Sequence, residues 1–328
     1  MPLNLDPELE ATLAALYADH KTLPPPTLGD VLTRRSTVGE GIRALAGTMP
    51  DSVKTTDHFA TAADGHKILL RLYQLKDADQ GQSECSLPLV FYIHGGGMIL
   101  GSVDIYNAIV GGYVAKTGVP FLAVDYRLAP EHPYPTPVDD CCTGLAWLKE
   151  HAPGLGIDLN RVALMGDSAG GGLAVLTAAK HVLQLARLIL LAPMLDNRTT
   201  EADEHLSRVI SWSVDDNMTG WSSFLRNTQG GDIIKEHPVV PARMNDEEVA
   251  RLPSLYMDVG ELDLFRDETI QLASRALKVG VSVELHVYPG CTHGFDLFAP
   301  KAAVSVQAVA NRIRVIVGYE RIGKEKPQ

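Results

Sequence analysis

The sequence predicts an α/β protein with a mostly parallel central sheet, helices on both faces of the sheet and a helical cap. Short apolar runs alternate with helix-like stretches from about residue 89 onward, the order of elements that builds a parallel sheet covered on both sides. One apolar run, Val162 to Met165, leads directly into Gly166-Asp167-Ser168-Ala169-Gly170. The 328 residues are 45% hydrophobic and 21% charged, which suits one large domain with additions.

The start of the sheet has a different pattern from the rest. Residues 55–63 and 67–75 are joined by Asp64-Gly65, which is typical of a tight hairpin turn, so we expect an antiparallel pair at one edge. Further strands are expected at residues 89–93, 121–124, 162–165, 188–191, 255–259 and 281–287. Helices are expected at residues 104–116, 137–151, 169–183, 266–278 and 301–319.

Two segments outside this alternation are predicted to form the cap. Helical stretches, one after Asp6-Pro7 and one over residues 30–46, precede the first strand. The interval after residue 196 is too long for a simple crossover, and such long segments are often lids. It carries aromatic residues at helix-like spacing, for which core packing is the default interpretation: Trp212, Trp221 and Phe224. We therefore expect residues 1–50 and 196–251 to cap a core of residues 51–195 and 252–328.

Composition narrows the classes of partner and compartment. A net charge of -11 argues against nucleic acid and anionic membranes as partners. The four cysteines lack metal-type spacing, so we expect free thiols and neither a metal nor a cofactor: Cys85, Cys141, Cys142 and Cys291. The first residues show no basic segment followed by an apolar one, and no stretch reads as a membrane span. These features predict a cytoplasmic protein.

The Gly-x-Ser-x-Gly run is the candidate nucleophile site. A sharp turn from strand to helix would lift Ser168 clear of the backbone, and Gly166 and Gly170 would avoid collisions across so tight a bend. The N–H of Ala169, at the start of the helix, would point to where negative charge develops on an attacked carbonyl. The alternative is a glycine-rich turn without chemistry.

A second glycine run, His94-Gly95-Gly96-Gly97, follows the strand predicted at residues 89–93. Successive glycines let the backbone approach a ligand, so the N–H groups of Gly95 and Gly96 are expected to form an oxyanion hole with that of Ala169. A flexible turn is the alternative, whereas a phosphate loop is excluded because no Lys-Ser/Thr follows. His94 itself could serve as a base, but its place before the glycines favours ordering of the loop.

The base and the acid should follow later strands. His293 lies in a loop after the strand predicted at residues 281–287, from which an imidazole can reach Ser168. Four carboxylates near the end of the preceding strand are candidates for the acid: Asp258, Glu261, Asp263 and Asp267. Asp258 would lie inside the strand, while Asp267 and Glu268 fit the first turn of a helix. Asp263, in the loop, is therefore predicted to orient His293, giving the chain order Ser, Asp, His.

Three motifs together resemble the hormone-sensitive-lipase-like esterases, the microbial family IV carboxylesterases. They are His94-Gly95-Gly96-Gly97, Gly166-Asp167-Ser168-Ala169-Gly170-Gly171 and Tyr126-Arg127-Leu128-Ala129-Pro130-Glu131-His132-Pro133. The resemblance covers nearly the whole chain and implies an α/β-hydrolase fold with a helical cap. It departs from the family pattern at Leu264, where the family has proline, and at Met98, where an aromatic residue is common. Homodimers are common in the family, so a homodimer is an alternative to a monomer.

The resemblance implies hydrolysis of short- to medium-chain carboxylic esters. The residues point to the same chemistry, since Ser168, His293 and Asp263 supply a nucleophile, a base and an orienting acid. Hydrolysis of amides or N-acetyl groups, or opening of lactones, could use the same three residues. A non-catalytic receptor of small ligands is the alternative from another class, but receptors of this fold have an incomplete triad.

Overall fold

The computed structural model describes residues 4–19, 26–77, 87–202, 211–226 and 239–318. Eight strands form one sheet in the order β1-β2-β4-β3-β5-β6-β7-β8. The strands are β1 Val53–Thr61, β2 Lys67–Leu75, β3 Leu87–Ile93, β4 Phe121–Val124, β5 Ile157–Asp167, β6 Arg187–Leu191, β7 Leu255–Gly260 and β8 Val283–Tyr288. The prediction of a mostly parallel sheet with an antiparallel edge is confirmed, because β2 lies antiparallel to β1 and β4 and every other neighbouring pair is parallel.

Helices cover both faces of the sheet. They are α1 Pro7–Asp19, α2 Val31–Arg34, α3 Glu40–Ala46, α4 Asn107–Thr117, α5 Thr136–Leu155, α6 Ala169–Ala178, α7 Val214–Phe224, α8 Asp246–Ala250, α9 Arg266–Lys278, α10 Phe295–Phe298 and α11 Ala303–Gly318. A π-helical turn, Arg35–Gly39, joins α2 to α3, and Pro241–Arg243 form a turn of 3₁₀-helix.

The prediction of a helix over residues 169–183 is wrong at its carboxyl end. Helix α6 stops at Ala178, where the N–H groups of Lys180 and His181 donate to carbonyls three residues earlier. His181 then takes a φ of 52°, a left-handed conformation that a helix cannot continue through. Tyr319, the last residue of the final predicted helix, lies outside the described residues, as does Cys85.

The core lies on both faces of the central strands. Side chains alternate along β3: Leu89 and Phe91 pack in the cluster that contains α5, α6 and α9, while Val90 and Tyr92 pack in the cluster that contains α4 and α11. Burial on both faces explains why the sequence of this strand is an uninterrupted apolar run. Because β3, β5, β6, β7 and β8 run parallel to one another, their carboxyl ends point to one edge of the sheet, where the following loops meet.

The N-terminal segment and the long insertion touch each other. The buried guanidinium of Arg34, at the end of α2, pairs with Asp216 of α7 through Nε and Oδ1 at 2.7 Å. The N–H of Gly29 donates to the Thr219 hydroxyl at 2.9 Å. Trp212, Trp221 and Phe224 are buried, as their spacing predicted. Residues 203–210 and 227–238 of the insertion lie outside the described part of the chain.

The cysteines and the helices bear on the predictions made from composition. Cys141, Cys142 and Cys291 are free thiols, and Cys141 and Cys291 are buried. In the described residues, none of the helices combines the length and the apolar character needed to cross a membrane. The cytoplasmic location stays a prediction.

Candidate active site

Ser168 occupies the turn between β5 and α6. Its φ of 54° and ψ of -121° are strained for a residue with a side chain, and they turn the hydroxyl away from the strand. A Cβ on Gly166 would lie 2.2 Å from the carbonyl oxygen of Gly170, and a Cβ on Gly170 would lie 2.1 Å from that of Ile93. The two glycines are required because the backbone folds back on itself at this point.

The structure brings Ser168, His293 and Asp263 into one hydrogen-bonded chain. His293 lies between β8 and α10, and its Nε2 is 3.0 Å from Ser168 Oγ. Its Nδ1 is 2.8 Å from Oδ2 of Asp263, which lies in the loop between β7 and α9. The other oxygen of Asp263 accepts the N–H of Phe265 at 2.9 Å, which fixes the carboxylate. Three side chains up to 125 positions apart therefore meet at the carboxyl edge of the sheet.

Several carboxylates act on the imidazole of His293. Burial is the largest single influence and lowers its pKa, but the charge and hydrogen bond of Asp263 and the charges of Asp167 and Asp296 outweigh it. The net effect is a raised pKa for His293. Because the imidazolium is favoured, the site can stabilise a proton taken from the serine.

Asp167, next to the serine, is a half-buried carboxylate that is held by a tyrosine hydroxyl. Burial raises its pKa to about 6, although the Tyr92 hydroxyl opposes this by donating to Oδ1 at 2.5 Å. A Cβ on Gly95 would lie 3.0 Å from Oδ2 of Asp167, so the carboxyl group packs against the first glycine of the loop after β3. No role was predicted for Asp167, although a carboxylate beside a candidate nucleophile is a signal that the sequence contains.

Residues 94–101 form the loop after β3, which we call the oxyanion loop. Gly96 has a φ of 111°, and a Cβ there would lie 2.3 Å from the carbonyl oxygen of Leu100. In the described part of the chain, the N–H groups of Gly96 and Ala169 donate to no backbone acceptor outside regular secondary structure. A Cβ on Gly95 would lie 2.9 Å from the Tyr106 hydroxyl, so the backbone of Gly95 packs closely against that side chain.

His94 has the structural position that the sequence favoured. Its ring is buried and stacks on Tyr126 with 4.2 Å between ring centroids, and its Nδ1 lies 2.8 Å from the carbonyl oxygen of Gly95. The Tyr126 hydroxyl donates to the His94 carbonyl at 3.0 Å. Burial lowers the pKa of His94. The ring thus holds the start of the oxyanion loop.

Glu268 differs from its predicted setting. It lies in the first turn of α9 but is buried, and it accepts the Leu195 N–H and the Thr199 hydroxyl, both at 2.6 Å. Burial raises its pKa well above the usual range. It therefore links the acid loop to the start of the insertion, which a helix-dipole interpretation misses. Glu268 also lines a polar cavity of about 310 Å³, whose walls contain none of the three residues Ser168, Asp263 and His293.

The insertion also contacts the main chain of His293, and no residue pattern predicted this contact. Ser211 donates its hydroxyl to the main-chain carbonyl of His293 at 2.6 Å. A Cβ on Gly97 would lie 2.6 Å from the ring of Trp212. The pair Ser211-Trp212 thus lies between the oxyanion loop and the loop that carries His293.

Comparison with known proteins agrees with this geometry. A family model described as alpha/beta hydrolase fold matches residues 90–297, a span that contains all three residues of the hydrogen-bonded chain. The chain belongs to the α/β-hydrolase fold family. Its resemblance to the hormone-sensitive-lipase-like esterases is confirmed.

Several relatives of this α/β hydrolase carry names that describe ester hydrolysis. It is 31% identical to ethyl acetate hydrolase of Pseudomonas putida over 311 residues, covering 89% of this chain and 92% of the relative. It is 32% identical to carboxylesterase NlhH of Mycobacterium tuberculosis over 245 residues, covering 70% and 73%. Among solved structures, a bacterial heroin esterase superposes with a TM-score of 0.83 at 32% identity, covering 97% of this chain and 98% of that one.

Proposed function

We propose that this α/β hydrolase is a serine carboxylesterase that hydrolyses short- to medium-chain carboxylic esters through an acyl-enzyme on Ser168. The observation that carries the proposal is the continuous chain from Ser168 Oγ through His293 to Asp263, with distances of 3.0 and 2.8 Å. The names of its relatives, an ethyl acetate hydrolase, a carboxylesterase and a heroin esterase, support the same reaction class.

The reaction runs in two half-reactions. Ser168 Oγ attacks the ester carbonyl while His293 Nε2 accepts its proton, and Asp263 stabilises the resulting imidazolium. His293 then donates the proton to the leaving alkoxide, which leaves an acyl-enzyme. A water molecule, deprotonated by His293, attacks the acyl group, and His293 returns that proton to Ser168 Oγ as the acid is released. Neither a metal nor a cofactor takes part in these steps.

The negative charge of each tetrahedral intermediate is stabilised by backbone N–H groups of Gly95, Gly96 and Ala169. Among the described residues, the N–H groups of Gly96 and Ala169 donate to no backbone acceptor outside regular secondary structure, which supports this assignment. Ala169 also begins α6, so the positive end of the helix dipole adds to the stabilisation.

Residues 1–50 and 196–251 form the cap in this proposal, over a catalytic core of residues 51–195 and 252–328. The Arg34–Asp216 ion pair and the Gly29–Thr219 hydrogen bond join the two cap segments. Ser211 places the cap against the base loop. In this proposal the cap selects the ester. Deletion of the first helices should therefore impair activity and chain-length preference more than it disturbs the folded sheet.

The test is a panel of p-nitrophenyl esters from acetyl to dodecanoyl, run beside a matched p-nitroanilide. Wild-type enzyme should hydrolyse the shorter esters and leave the anilide nearly untouched. Ser168→Ala should lower kcat by a factor on the order of a million. Ser222→Ala, at an exposed serine of α7, is the matched control and should keep wild-type kcat.

Other outcomes separate the alternatives. Wild-type turnover by Ser168→Ala would remove the serine from the mechanism. Faster cleavage of the anilide than of the esters would favour an amidase, and a panel of lactones tests ring opening in the same way. Ligand binding without turnover would indicate a receptor. The homodimer stays a prediction, which sedimentation of the purified chain tests.

A further inference from the structure

Arg35, in the N-terminal segment, reaches out of the cap to the oxyanion loop. Its Nε donates to the carbonyl oxygen of Ile99 at 2.7 Å, and its Nη2 donates to that of Ala129 at 3.0 Å. Its two terminal nitrogens hold the carboxylate of Glu131 at 2.7 and 2.6 Å. One side chain thus spans the cap, the oxyanion loop and the Tyr126-to-Pro133 run.

The hydrogen bonds of Arg35 are connected, through the oxyanion loop, to Gly96, whose N–H is a predicted oxyanion donor. Ile99 and Leu100 donate their N–H groups to the carbonyl of Gly96 at 3.1 and 3.0 Å. The N–H of Ala129 donates to the carbonyl of Met98 at 3.0 Å. The loop is therefore held from both sides, by Ala129 at Met98 and by Arg35 at Ile99, and Gly96 is attached to this frame through its carbonyl group.

The local backbone of the loop needs such a frame. Gly96, Gly97, Met98 and Gly101 all have positive φ values, and a positive φ is unfavourable for Met98, which has a side chain. A run of this kind persists only where its surroundings hold it. Arg35 itself begins the π-helical turn Arg35–Gly39, and such turns are frequent at functional sites.

From these contacts we infer that Arg35 is a positioning residue for the oxyanion hole: the cap, through Arg35, sets where the Gly96 N–H points. The inference rests on the proposed function, because it assigns a role within that reaction. The N-terminal segment is then part of the catalytic apparatus as well as a cover for the substrate. Glu131 orients the guanidinium, and its own pKa is held at about 2 by the hydrogen bond from Arg35.

Lysine cannot replace arginine here. The guanidinium donates in three directions at once, to Ile99, Ala129 and Glu131, in a planar fork. A lysine ammonium keeps the charge, but it sits at the end of a flexible stem and cannot reproduce that fork. Arg35→Lys thus removes the geometry while keeping the charge, which makes it the informative variant.

The test compares Arg35→Lys with Arg43→Lys. Arg43 lies in the same segment, but its side chain is 53% exposed and pairs only loosely with Glu40 at 3.7 Å. For p-nitrophenyl butanoate, kcat is measured per active site, with active sites counted by titration with a phosphonate that labels the serine. The inhibition constant of a trifluoromethyl ketone is measured in parallel, because its adduct with Ser168 places an oxyanion in the hole.

Arg35→Lys should lower kcat by about 10- to 100-fold, since small misplacements of catalytic groups have effects of this size. The inhibition constant should rise by a similar factor, while KM changes less than about threefold because the oxyanion forms only in the transition state. Arg43→Lys should match wild type in all three quantities. Counting active sites separates this effect from a loss of folded enzyme.

Wild-type kcat and inhibition constant in Arg35→Lys would overturn the inference and leave the esterase proposal standing. A KM rise at constant kcat would also overturn it, because it would mean that Arg35 acts on substrate entry. If Ser168→Ala retained full activity, the proposed function itself would fail. The two failures are therefore distinguishable.

Discussion

Arg312 of α11 forms a buried ion pair with Asp258 of β7, with Nε 2.7 Å from Oδ2 and Nη2 3.0 Å from Oδ1. Its remaining terminal nitrogen pairs with Asp296, three residues after His293. One guanidinium thus connects the last helix, the strand that precedes the acid loop and the short helix that follows the base. The charge of Asp296 also helps to raise the pKa of His293.

Arg312→Met should therefore destabilise the protein strongly. It leaves the buried Asp258 without its cation, and breaking a buried pair in this way typically costs about 3–5 kcal/mol. Urea unfolding followed by circular dichroism measures the loss. Arg314→Met is the control, since Arg314 lies on the same helix with its side chain 58% exposed, and it should change the free energy of unfolding by less than about 1 kcal/mol. Equal losses in the two variants would contradict a structural role for the buried pair.

Asp263→Asn should reduce kcat by up to about 10⁴-fold while the fold is kept. An amide in place of the carboxylate favours the wrong tautomer of His293 and no longer stabilises the imidazolium. Asp267→Asn, in the same loop–helix junction with a side chain 68% exposed, should stay close to wild type. Steady-state kinetics on a short ester would reject Asp263 as the orienting acid if the larger loss occurred at Asp267.

The acid limb of the pH profile should depend on Asp167. His293 must be neutral to act as a base, and its raised pKa places the loss of kcat/KM at a pH above its ordinary value of 6.5. Asp167→Asn removes a nearby negative charge, so the pKa of His293 should fall and the limb should move to lower pH. Asp139→Asn serves as the comparison, because Asp139 is an exposed carboxylate and His293 is not among the groups that affect its pKa. An unmoved limb in Asp167→Asn would argue against this coupling.

Gly166→Ala should abolish activity and destabilise the turn that carries Ser168. The added methyl group would lie 2.2 Å from the carbonyl oxygen of Gly170, which is backbone and has no room to move. Gly112→Ala, in α4, meets no atom within 4 Å and should be neutral or stabilising by up to about 1 kcal/mol. Thermal unfolding measures the stability of both variants, and ester hydrolysis measures their activity. An active Gly166→Ala enzyme would mean that the turn can relax.

Much of the framework follows from local pattern. Strands at residues 67–75 and 121–124 and the helix at 266–278 agree with β2, β4 and α9, because each is bounded by clear turn or loop residues. The hydrogen-bonded approach of Ser168, Asp263 and His293 agrees with their predicted order and loop placement. In a parallel sheet, loops at the carboxyl ends necessarily become neighbours.

The contacts that the sequence did not reveal join parts of the chain far from each other. Ser211 and His293 are 82 positions apart, and Arg35 and Ile99 are 64 positions apart. Each bond ends on a main-chain carbonyl, which every residue possesses, so no residue type marks the partner. The burial of Glu268 could not be predicted for a related reason: the sequence pattern of a glutamate in the first turn of a helix is the same whether solvent or a neighbouring loop covers it.

The hydroxyl of Ser211 also bears on how this enzyme can diverge. Loops between strands generally tolerate replacement and are where new specificities arise. Here the same insertion braces the main chain of His293 at 2.6 Å. Substitutions selected for bulkier acyl groups would therefore disturb the imidazole and slow turnover. Directed evolution of a randomised insertion should accordingly retain serine, or another hydroxyl-bearing residue, at position 211.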